Sequence, residues 1–355
     1  MSRTVVIGGG IVGSAIAHRA AEAGLAVTLL ERERIGSGAT AISGGIVRSY
    51  HDDPLVASRA ALGNARYRDL ARAPGGDCGY RATGLLYFDA GAPLHAMRNA
   101  VRRLDPSGDL ALEAIGADEG RRRFGAFRWD DVAGAVHEPY GGYVDPVRAS
   151  RAFAHAALAH GAQVWEGTRA LRIVVADGVV RAVETSFGTI AADAVIVAAG
   201  AWSAALLRDA GVDLPLRTRR VQAFIFALPA PDAIPCAFYD ATTGVYGRPH
   251  AGGQYLIGFP VLEWDVDPDA VAPVDPDGLD ALRDAVLRRL HHDPTREPRG
   301  GRCAFDAYEP AERGIAGATG IGGLFVATGW SGGGVKAAPA AADEILELLR
   351  ACAPC

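Results

Sequence analysis

The sequence predicts an α/β protein in which a domain built on parallel strands carries an inserted domain of antiparallel strands. Three observations support this class. An apolar strand runs into a glycine-rich turn near the N-terminus, a second strand-to-glycine turn lies at the far C-terminus, and β-rich material separates them. The 355 residues, 49% of them hydrophobic, can bury a large core and divide into two domains.

The N-terminal motif has the features of a dinucleotide site. A strand at residues 4–7 leads into Gly8–Gly13, spaced G-x-G-x-x-G, and an alanine-rich helix, a second strand and Glu31 follow. The first glycine permits the tight turn, the second lets a pyrophosphate approach the backbone, and the third lets the helix pack on the sheet. The helix N-terminus favours an anion, and Glu31 can accept hydrogen bonds from ribose hydroxyls. The motif by itself is compatible with NAD or FAD.

The remaining elements alternate between the two predicted domains. Helices are predicted at residues 55–73, 96–104, 148–160, 204–208, 278–290 and 338–350. Strands are predicted at residues 84–88, 162–165, 173–175, 179–185, 194–199 and 324–327, with several more in 219–262. Asp177-Gly178 indicates a hairpin. We predict a discontinuous nucleotide-binding domain at residues 1–75, 140–215 and 306–355, and a substrate domain at residues 76–139 and 216–305.

Composition argues against several functional classes. A net charge of −5 and a pI near 6.0 do not suggest nucleic acid or an anionic membrane as partner. Five irregularly spaced cysteines argue against a disulfide framework, and the terminal Cys352-x-x-Cys355 is interpreted as a frayed tail. The glycine-containing N-terminus fits neither a signal peptide nor a membrane span. We expect a soluble cytoplasmic protein without a metal; its oligomeric state is open.

The second glycine-rich turn, Thr328–Lys336, resembles the C-terminal flavin-binding turn of the D-amino-acid oxidase family, particularly its sarcosine oxidase and glycine oxidase branch. The resemblance covers the whole chain and includes the N-terminal turn with Glu31, Gly38–Gly45, Gly141–Pro146, Ala199–Trp202, Tyr246–Pro249 and Asp306–Pro310. It implies FAD as cofactor, a Rossmann-like FAD-binding domain and an antiparallel substrate domain over the flavin. Lys336, the single lysine of the chain, would stabilise negative charge at N1/O2 of the reduced ring.

The resemblance and the motifs together assign the cofactor site. The predicted cofactor-binding residues are Gly8, Gly10, Ile11, Val12, Gly13, Glu31, Arg32, Ala39, Thr40, Ser43, Gly44, Gly45, Ala170, Ala199, Gly200, Trp202, Cys303, Gly329, Trp330, Ser331, Gly332, Gly333, Gly334, Val335 and Lys336. Cys303 resembles the cysteine that carries flavin as a thioether in sarcosine oxidases, which implies a possible covalent FAD.

In this family a hydride usually passes from the carbon beside an amine nitrogen to the flavin. The predicted catalytic residues are Arg48, Tyr246, Arg248 and Lys336. Arg48 suits a substrate carboxylate, and Tyr246 matches a substrate-facing tyrosine of the family. Arg248 and His250 alternate with Tyr246 along a strand and are expected to share its face. His51 is a further candidate beside Arg48.

Two positions depart from the family pattern. The glycine oxidase branch has a carboxylate-binding arginine two residues after the position of Cys303, where this chain has Phe305. Sarcosine oxidases have a lysine over the flavin that promotes reaction with oxygen, and counting from Tyr246 puts Ile257 there. The sequence therefore leaves open whether the electron acceptor is oxygen or another compound. We predict oxidation of a C–N bond in a small, secondary or cyclic amino acid. The alternatives are a 2-hydroxy-acid dehydrogenase and a flavin-binding subunit of a larger complex.

Overall fold

The computed structural model describes residues 3–89, 91–227, 234–270, 273–275, 278–296 and 298–352. Its strands are β1 (Arg3–Ile7), β2 (Ala26–Leu30), β3 (Ile46–Val47), β4 (Leu85–Phe88), β5 (Glu113–Gly116), β6 (Gly134–Glu138), β7 (Gly142–Tyr143), β8 (Gln163–Trp165), β9 (Ala170–Ala176), β10 (Val179–Thr185), β11 (Gly188–Ala191), β12 (Ala194–Val197), β13 (Arg217–Ala227), β14 (Ala237–Asp240), β15 (Tyr246–His250), β16 (Gln254–Trp264), β17 (Pro298–Tyr308), β18 (Ile315–Ala318) and β19 (Leu324–Thr328). Its α-helices are α1 (Ile11–Glu22), α2 (Ala39–Ile42), α3 (Pro54–Arg72), α4 (Leu94–Leu104), α5 (Ala117–Arg123), α6 (Pro146–Ala159), α7 (Ser203–Asp209), α8 (Gly278–Arg289) and α9 (Gly334–Cys352).

The first sheet has the strand order β18-β19-β12-β1-β2-β8 and is parallel except for β18. Its central strands are almost wholly buried because helices or further strands cover both faces, as expected for parallel strands. Helices α1, α6 and α9 pack together against it. Every strand of this sheet comes from the segments predicted for the nucleotide-binding domain, although those boundaries themselves stay a prediction.

The second sheet has the order β17-β13-β16-β15-β14-β4-β6-β5. Its pairs are antiparallel except β14 with β4, which run parallel. One face carries Phe224, Phe226 and Ile257, which pack with α8 in a core cluster. The opposite face covers the cavity described below. The predicted α/β class is confirmed, and the prediction of an antiparallel second sheet fails only at the β4–β14 pair.

Two local features compare with the sequence predictions in different ways: one hairpin is present as predicted, and the last helix begins earlier than predicted. Asp177 and Gly178 have φ of 53° and 72° between β9 and β10, so the hairpin predicted from Asp-Gly is present. The last helix begins at Gly334 instead of residue 338, although it contains Pro339. Proline cannot donate to the carbonyl four residues earlier. That carbonyl, of Val335, instead accepts from the Tyr67 hydroxyl at 2.8 Å.

Among the described residues no helix is both long and apolar enough to cross a bilayer. The cytoplasmic location stays a prediction. Cys355 and residues 228–233 of the predicted strand region lie outside the described residues. The expectation of no metal also stays a prediction. On the α1–α6 contact, away from the cavity, ligand atoms of His18, Glu22 and His160 lie within 4.8 Å of one another.

Candidate active site

A cavity of about 1110 Å³ lies where the two sheets face each other. Both predicted glycine turns, the small-residue stretch before β3 and the end of β17 line it. Of the predicted site residues, all line this cavity except Gly13, Gly329 and Arg248. The size exceeds that of a typical small-ligand pocket, so the cavity can take a dinucleotide together with a small substrate.

The N-terminal turn is shaped by glycines that nothing larger could replace. Gly8 has φ of 109°, and a Cβ there would lie 2.5 Å from the carbonyl oxygen of Ala198. A Cβ at Gly13 would lie 1.9 Å from the carbonyl oxygen of Gly8. Gly13 therefore acts by letting α1 approach the turn, and it does not itself line the cavity. Gly10 precedes α1 and supplies no side-chain cap, while the N–H of Ile11 donates to Thr40 Oγ1 at 3.1 Å. The N-terminus of this helix lines the cavity, where its dipole favours an anion.

Glu31 closes one end of the cavity at the tip of β2. Its carboxylate accepts hydrogen bonds from the N–H groups of Gly9 at 2.7 Å and Glu33 at 2.8 Å. Burial raises the pKa of this carboxyl, while those bonds and Arg32 oppose the change. The Arg32 guanidinium stacks 3.8 Å from the ring centre of Trp202. These groups suit the adenosine half of a dinucleotide.

The C-terminal turn is fixed to β17 by backbone and side-chain contacts. Asp306 accepts from the N–H of Gly332 at 2.8 Å, and the N–H of Ser331 donates to the carbonyl of Ala307 at 3.1 Å. Ser331 and Gly332 have φ of 51° and 77°, a left-handed conformation that favours glycine. The turn thus presents the N-terminus of α9 to the cavity.

Lys336 extends into the cavity from the first turn of α9. A Cβ at Gly333 would lie 3.1 Å from Lys336 Nζ, so the glycine makes room for the ammonium. Burial, followed by the charge of Arg48, lowers the pKa of Lys336 to about 7, while Asp306 acts in the opposite direction. The lysine therefore changes its charge near neutral pH, and an anion beside it would favour the charged form.

Arg48 lies on an aromatic wall next to Lys336. It is 4% exposed, and its guanidinium carbon lies 4.7 Å and 4.6 Å from the ring centres of Tyr87 and Tyr239. Its Nη1 donates to the carbonyl of Tyr50. Within the described residues no carboxylate pairs with Arg48, so its charge is available to a ligand in the cavity.

The backbone beside Arg48 is held by a buried acid. Glu138 accepts from the N–H groups of Ser49 at 2.5 Å and Tyr50 at 3.0 Å. Burial raises the pKa of Glu138 to about 7. His51 lines the cavity, and burial together with Arg48 and Lys336 lowers its pKa to about 3. The imidazole is consequently neutral at physiological pH.

Tyr246 and Arg248 share a face of β15, as predicted, but only Tyr246 lines the cavity. Arg248 Nε donates to the carbonyl of Gly44 at 2.5 Å, and its guanidinium stacks 4.3 Å from the ring centre of Tyr143. The Gly44 backbone therefore lies between Arg248 and the cavity. In the structure Arg248 thus contacts the Gly44 segment and does not itself line the cavity, and its catalytic role stays a prediction. His250 is likewise absent from the cavity lining.

The strand register corrects the position assigned to Ile257. Tyr246 pairs with Gly258, Gly258 with Ala223, and Ala223 with Arg302, so these residues share the cavity-facing side of the sheet. Ile257 consequently points to the opposite face, where it is 0% exposed in the core. Gly258 stands opposite Tyr246 instead, and it carries no charge.

The same register bears on Cys303 and Phe305. Both residues border the cavity, but their side chains project from the other face of the sheet, away from Tyr246. On that face Arg220 Nε lies 3.2 Å from the Cys303 sulfur. The β17 side chains on the cavity face are Ala304, Asp306 and Tyr308. Asp306, Tyr308, Tyr239 and Arg219 are lining residues that the sequence interpretation missed. The alternation of Asp306 and Tyr308 on one strand was the available signal.

The cavity lies between a parallel sheet and a covering sheet, and two glycine turns, each followed by a helix N-terminus, line it. These features are typical of a dinucleotide-binding protein. Comparison with known families specifies it further. Residues 3–348 match the family model named DAO, FAD dependent oxidoreductase. The chain belongs to this family of FAD-dependent oxidoreductases, as its resemblance implied, and the predicted cofactor is confirmed at that level.

Individual relatives are distant. The chain is 27% identical over 370 residues to 4-methylaminobutanoate oxidase (formaldehyde-forming) of Paenarthrobacter nicotinovorans, covering 97% of this chain and 43% of that protein. It therefore spans less than half the length of this relative. It is 28% identical over 360 residues to glycine oxidase of Pseudomonas aeruginosa, covering 98% and 94% of the two chains. The solved L-proline dehydrogenase from P. horikoshii superposes with a TM-score of 0.81 at 24% identity, covering 98% and 93%, which shows the shared fold.

Proposed function

We propose that this protein oxidises the C–N bond of a small amino acid whose carboxylate binds between Arg48 and Lys336. The observation that carries this proposal is that the buried Arg48 and the half-buried Lys336 face one cavity, and that neither forms a salt bridge with a carboxylate among the described residues. Asp306 acts on Lys336 electrostatically but lies beyond salt-bridge distance. A substrate carboxylate would supply both cations with a direct partner. Arginine offers paired donors and lysine a point charge, a combination that fixes the position of a carboxylate.

The cofactor site of the proposal follows the two glycine turns. The turn before α1 and Glu31 would hold the pyrophosphate and adenosine, and the turn before α9 would hold the flavin ring. FAD, when bound, accepts a hydride from the carbon next to the amine nitrogen. The remaining task of the chain is positioning, because an amine that binds neutral needs no strong base. The neutral His51 and the phenol of Tyr246, whose pKa burial raises to about 12, agree with this.

The form of the amine is supported by the wall of the cavity and by one relative. The half-buried Tyr239 and Tyr246 and the buried Tyr308 provide an aromatic surface in the cavity. Such a surface suits the carbon groups of a secondary or cyclic amine. 4-Methylaminobutanoate oxidase is named for a secondary amine that carries a carboxylate. We therefore favour a secondary or cyclic amino acid over a primary one.

The electron acceptor is proposed to be a compound other than oxygen. Gly258 and Pro260, which face the cavity from β16, are uncharged. The only lysine, Lys336, is assigned to the substrate carboxylate. The β16 positions opposite Tyr246 thus supply no cation that would stabilise a forming superoxide. After reduction, air should restore the flavin colour slowly and an artificial acceptor should restore it quickly; equally rapid recovery in air would refute this.

Anaerobic bleaching of the FAD-loaded protein tests the main proposal. Proline and N-methylglycine are compared at equal concentrations with two 2-hydroxy acids, 2-hydroxypentanoate and glycolate. We expect bleaching by amino acids, and release of the corresponding imine or its hydrolysis products. Bleaching by hydroxy acids alone would replace the C–N assignment by a 2-hydroxy-acid dehydrogenase. Arg48→Gln should retain FAD but lose bleaching about tenfold or more, as expected for a lost charged hydrogen bond.

A further inference from the structure

Several arginines line the cavity without a part in the proposed function, and one of them is both buried and without an acidic partner within the described ranges. Arg219, in β13, lines the cavity and is 9% exposed. Its Nε donates to the carbonyl of Val261 at 2.7 Å. Its guanidinium carbon lies 4.9 Å from the ring centre of Trp264 and 5.2 Å from that of Tyr308. Neither terminal nitrogen has a hydrogen-bond partner among the described residues.

Three other buried arginines differ from Arg219 because each forms a salt bridge with an acidic side chain. Guanidinium–carboxylate pairs join Arg59 to Glu344 at 2.7 Å, Arg220 to Glu263 at 3.1 Å and Arg289 to Asp240 at 2.9 Å. Arg248 has no such pair but does not line the cavity. In the part of the chain that the structure describes, Arg48 and Arg219 are thus the buried cavity-lining arginines without a carboxylate. A buried charge is costly unless it is paired, so each is suited to an anionic group of a ligand.

Arg219 belongs to the part of the cavity that would hold the substrate. In the strand register of β13 and β17, Arg219 stands opposite Asp306, although their side chains form no salt bridge. Both side chains therefore project from the cavity face of the sheet. Asp306 holds the glycine turn before α9. Tyr308, which contacts Arg219, interacts electrostatically with Tyr246. Tyr239, Tyr246 and Tyr308 line the same cavity as the two arginines, and Arg48 stacks on Tyr239 whereas Arg219 stacks on Tyr308.

We infer that Arg219 binds a second carboxylate of the substrate, which makes the substrate class dicarboxylic amino acids, including N-carboxyalkyl amino acids. The inference rests on the proposed function, because Arg48 and Lys336 take the first carboxylate. Stacking on Trp264 and Tyr308 leaves the outer edge of the guanidinium fork for paired hydrogen bonds to that second group.

Equilibrium binding of unreactive ligands to the FAD-loaded protein tests this. Cyclopentanecarboxylate and cis-cyclopentane-1,3-dicarboxylate share one ring and differ by one carboxylate; both are titrated against the flavin absorbance. The wild type should bind the dicarboxylate about ten- to a hundredfold more tightly, as a charged hydrogen bond implies. Arg219→Gln should abolish this preference and leave the affinity for the monocarboxylate unchanged.

A neighbouring arginine provides the matched control. Arg217 lies two residues earlier on β13, stacks 4.9 Å from the same Trp264 ring and pairs with Asp265 at 2.6 Å outside the cavity. Arg217→Gln should keep the preference for the dicarboxylate. Equal binding of both ligands by the wild type would overturn the inference. So would an Arg219→Gln variant that retains the preference, or one that instead loses FAD, which would assign Arg219 to the cofactor.

Bleaching separates this inference from the proposed function. N-Methylglycine and iminodiacetate are compared anaerobically with the same three proteins. If amines bleach the flavin but iminodiacetate bleaches it no better than N-methylglycine, the proposed C–N oxidation is supported and the role of Arg219 is refuted. If the dicarboxylate ligand binds through Arg219 but no amine bleaches the flavin, the carboxylate-binding role of Arg219 is supported and the proposed C–N oxidation is refuted.

Discussion

Replacing Lys336 by methionine should remove the pH dependence of carboxylate binding near neutrality. Burial and the charge of Arg48 lower the pKa of Lys336 from 10.5 to about 7. At about 1.4 kcal/mol for each pKa unit, the protein disfavours the ammonium by on the order of 5 kcal/mol relative to water. A carboxylate that binds beside Lys336 restores part of this energy. Binding therefore raises the pKa and takes up a proton at pH values above about 7.

The sign of the effect follows from which form exists before the ligand arrives. Below about pH 7 the ammonium is already charged, so the affinity for a carboxylate is at its maximum. Above that pH the proton must be taken up, and Kd should rise by up to about tenfold per pH unit until the pKa of the complex is reached. Lys336→Met should bind about ten- to a hundredfold more weakly at acidic pH and show little pH dependence.

The assay is a titration of the flavin absorbance with cyclopentanecarboxylate across neutral pH. Glu138 is the competing explanation, because burial raises its pKa to about 7 and it holds the backbone beside Arg48. His51 does not compete, since its pKa is lowered to about 3. Glu138→Gln should retain the pH profile of the wild type. A Lys336→Met variant that still shows this profile would refute the reasoning.

Three other variants test the cofactor site and its supports. Gly13→Ala, whose Cβ would lie 1.9 Å from the Gly8 carbonyl, should be isolated without FAD by absorbance ratio, whereas Gly317→Ala, with nothing within 4 Å, should be yellow. Because the Cys303 sulfur lies beside Arg220 on the far face of β17, acid precipitation should release all flavin from both the wild type and Cys303→Ser; a yellow wild-type pellet would show covalent attachment. Glu138→Ala should lower the free energy of unfolding in urea by about 2–4 kcal/mol, because the N–H groups of Ser49 and Tyr50 lose their acceptor; an unchanged midpoint would contradict this.

The sequence was sufficient to predict the secondary-structure elements whose ends depend on residues close together in the chain. The strand, glycine turn, helix and Glu31 at the N-terminus were all predicted, because each depends on residues close together in the chain. The hairpin at Asp177-Gly178 followed from two residues alone. The start of α9 was missed because the Val335 carbonyl left free by Pro339 finds its donor in Tyr67, a residue far away in sequence.

The candidate site was predictable only where a motif carried the side chain. Arg48, Tyr246 and Lys336 line the cavity as expected. Arg248 shares the correct face but lies beyond the Gly44 backbone, a depth that strand alternation does not specify. The orientation of Ile257 and Cys303 depends on register with partner strands, and a one-residue error in register reverses the face. Arg219 was missed because it joins the site through pairing with β17, more than eighty residues later.

The most direct test of the central claim is a crystal structure of the FAD-loaded protein with cyclopentanecarboxylate. The account predicts a flavin ring beside the turn that precedes α9. It also predicts ligand carboxylate oxygens within hydrogen-bond distance of both the Arg48 guanidinium and Lys336 Nζ, and the ring of the ligand against Tyr246. A carboxylate bound elsewhere, with Arg48 and Lys336 paired only to protein groups, would contradict the account.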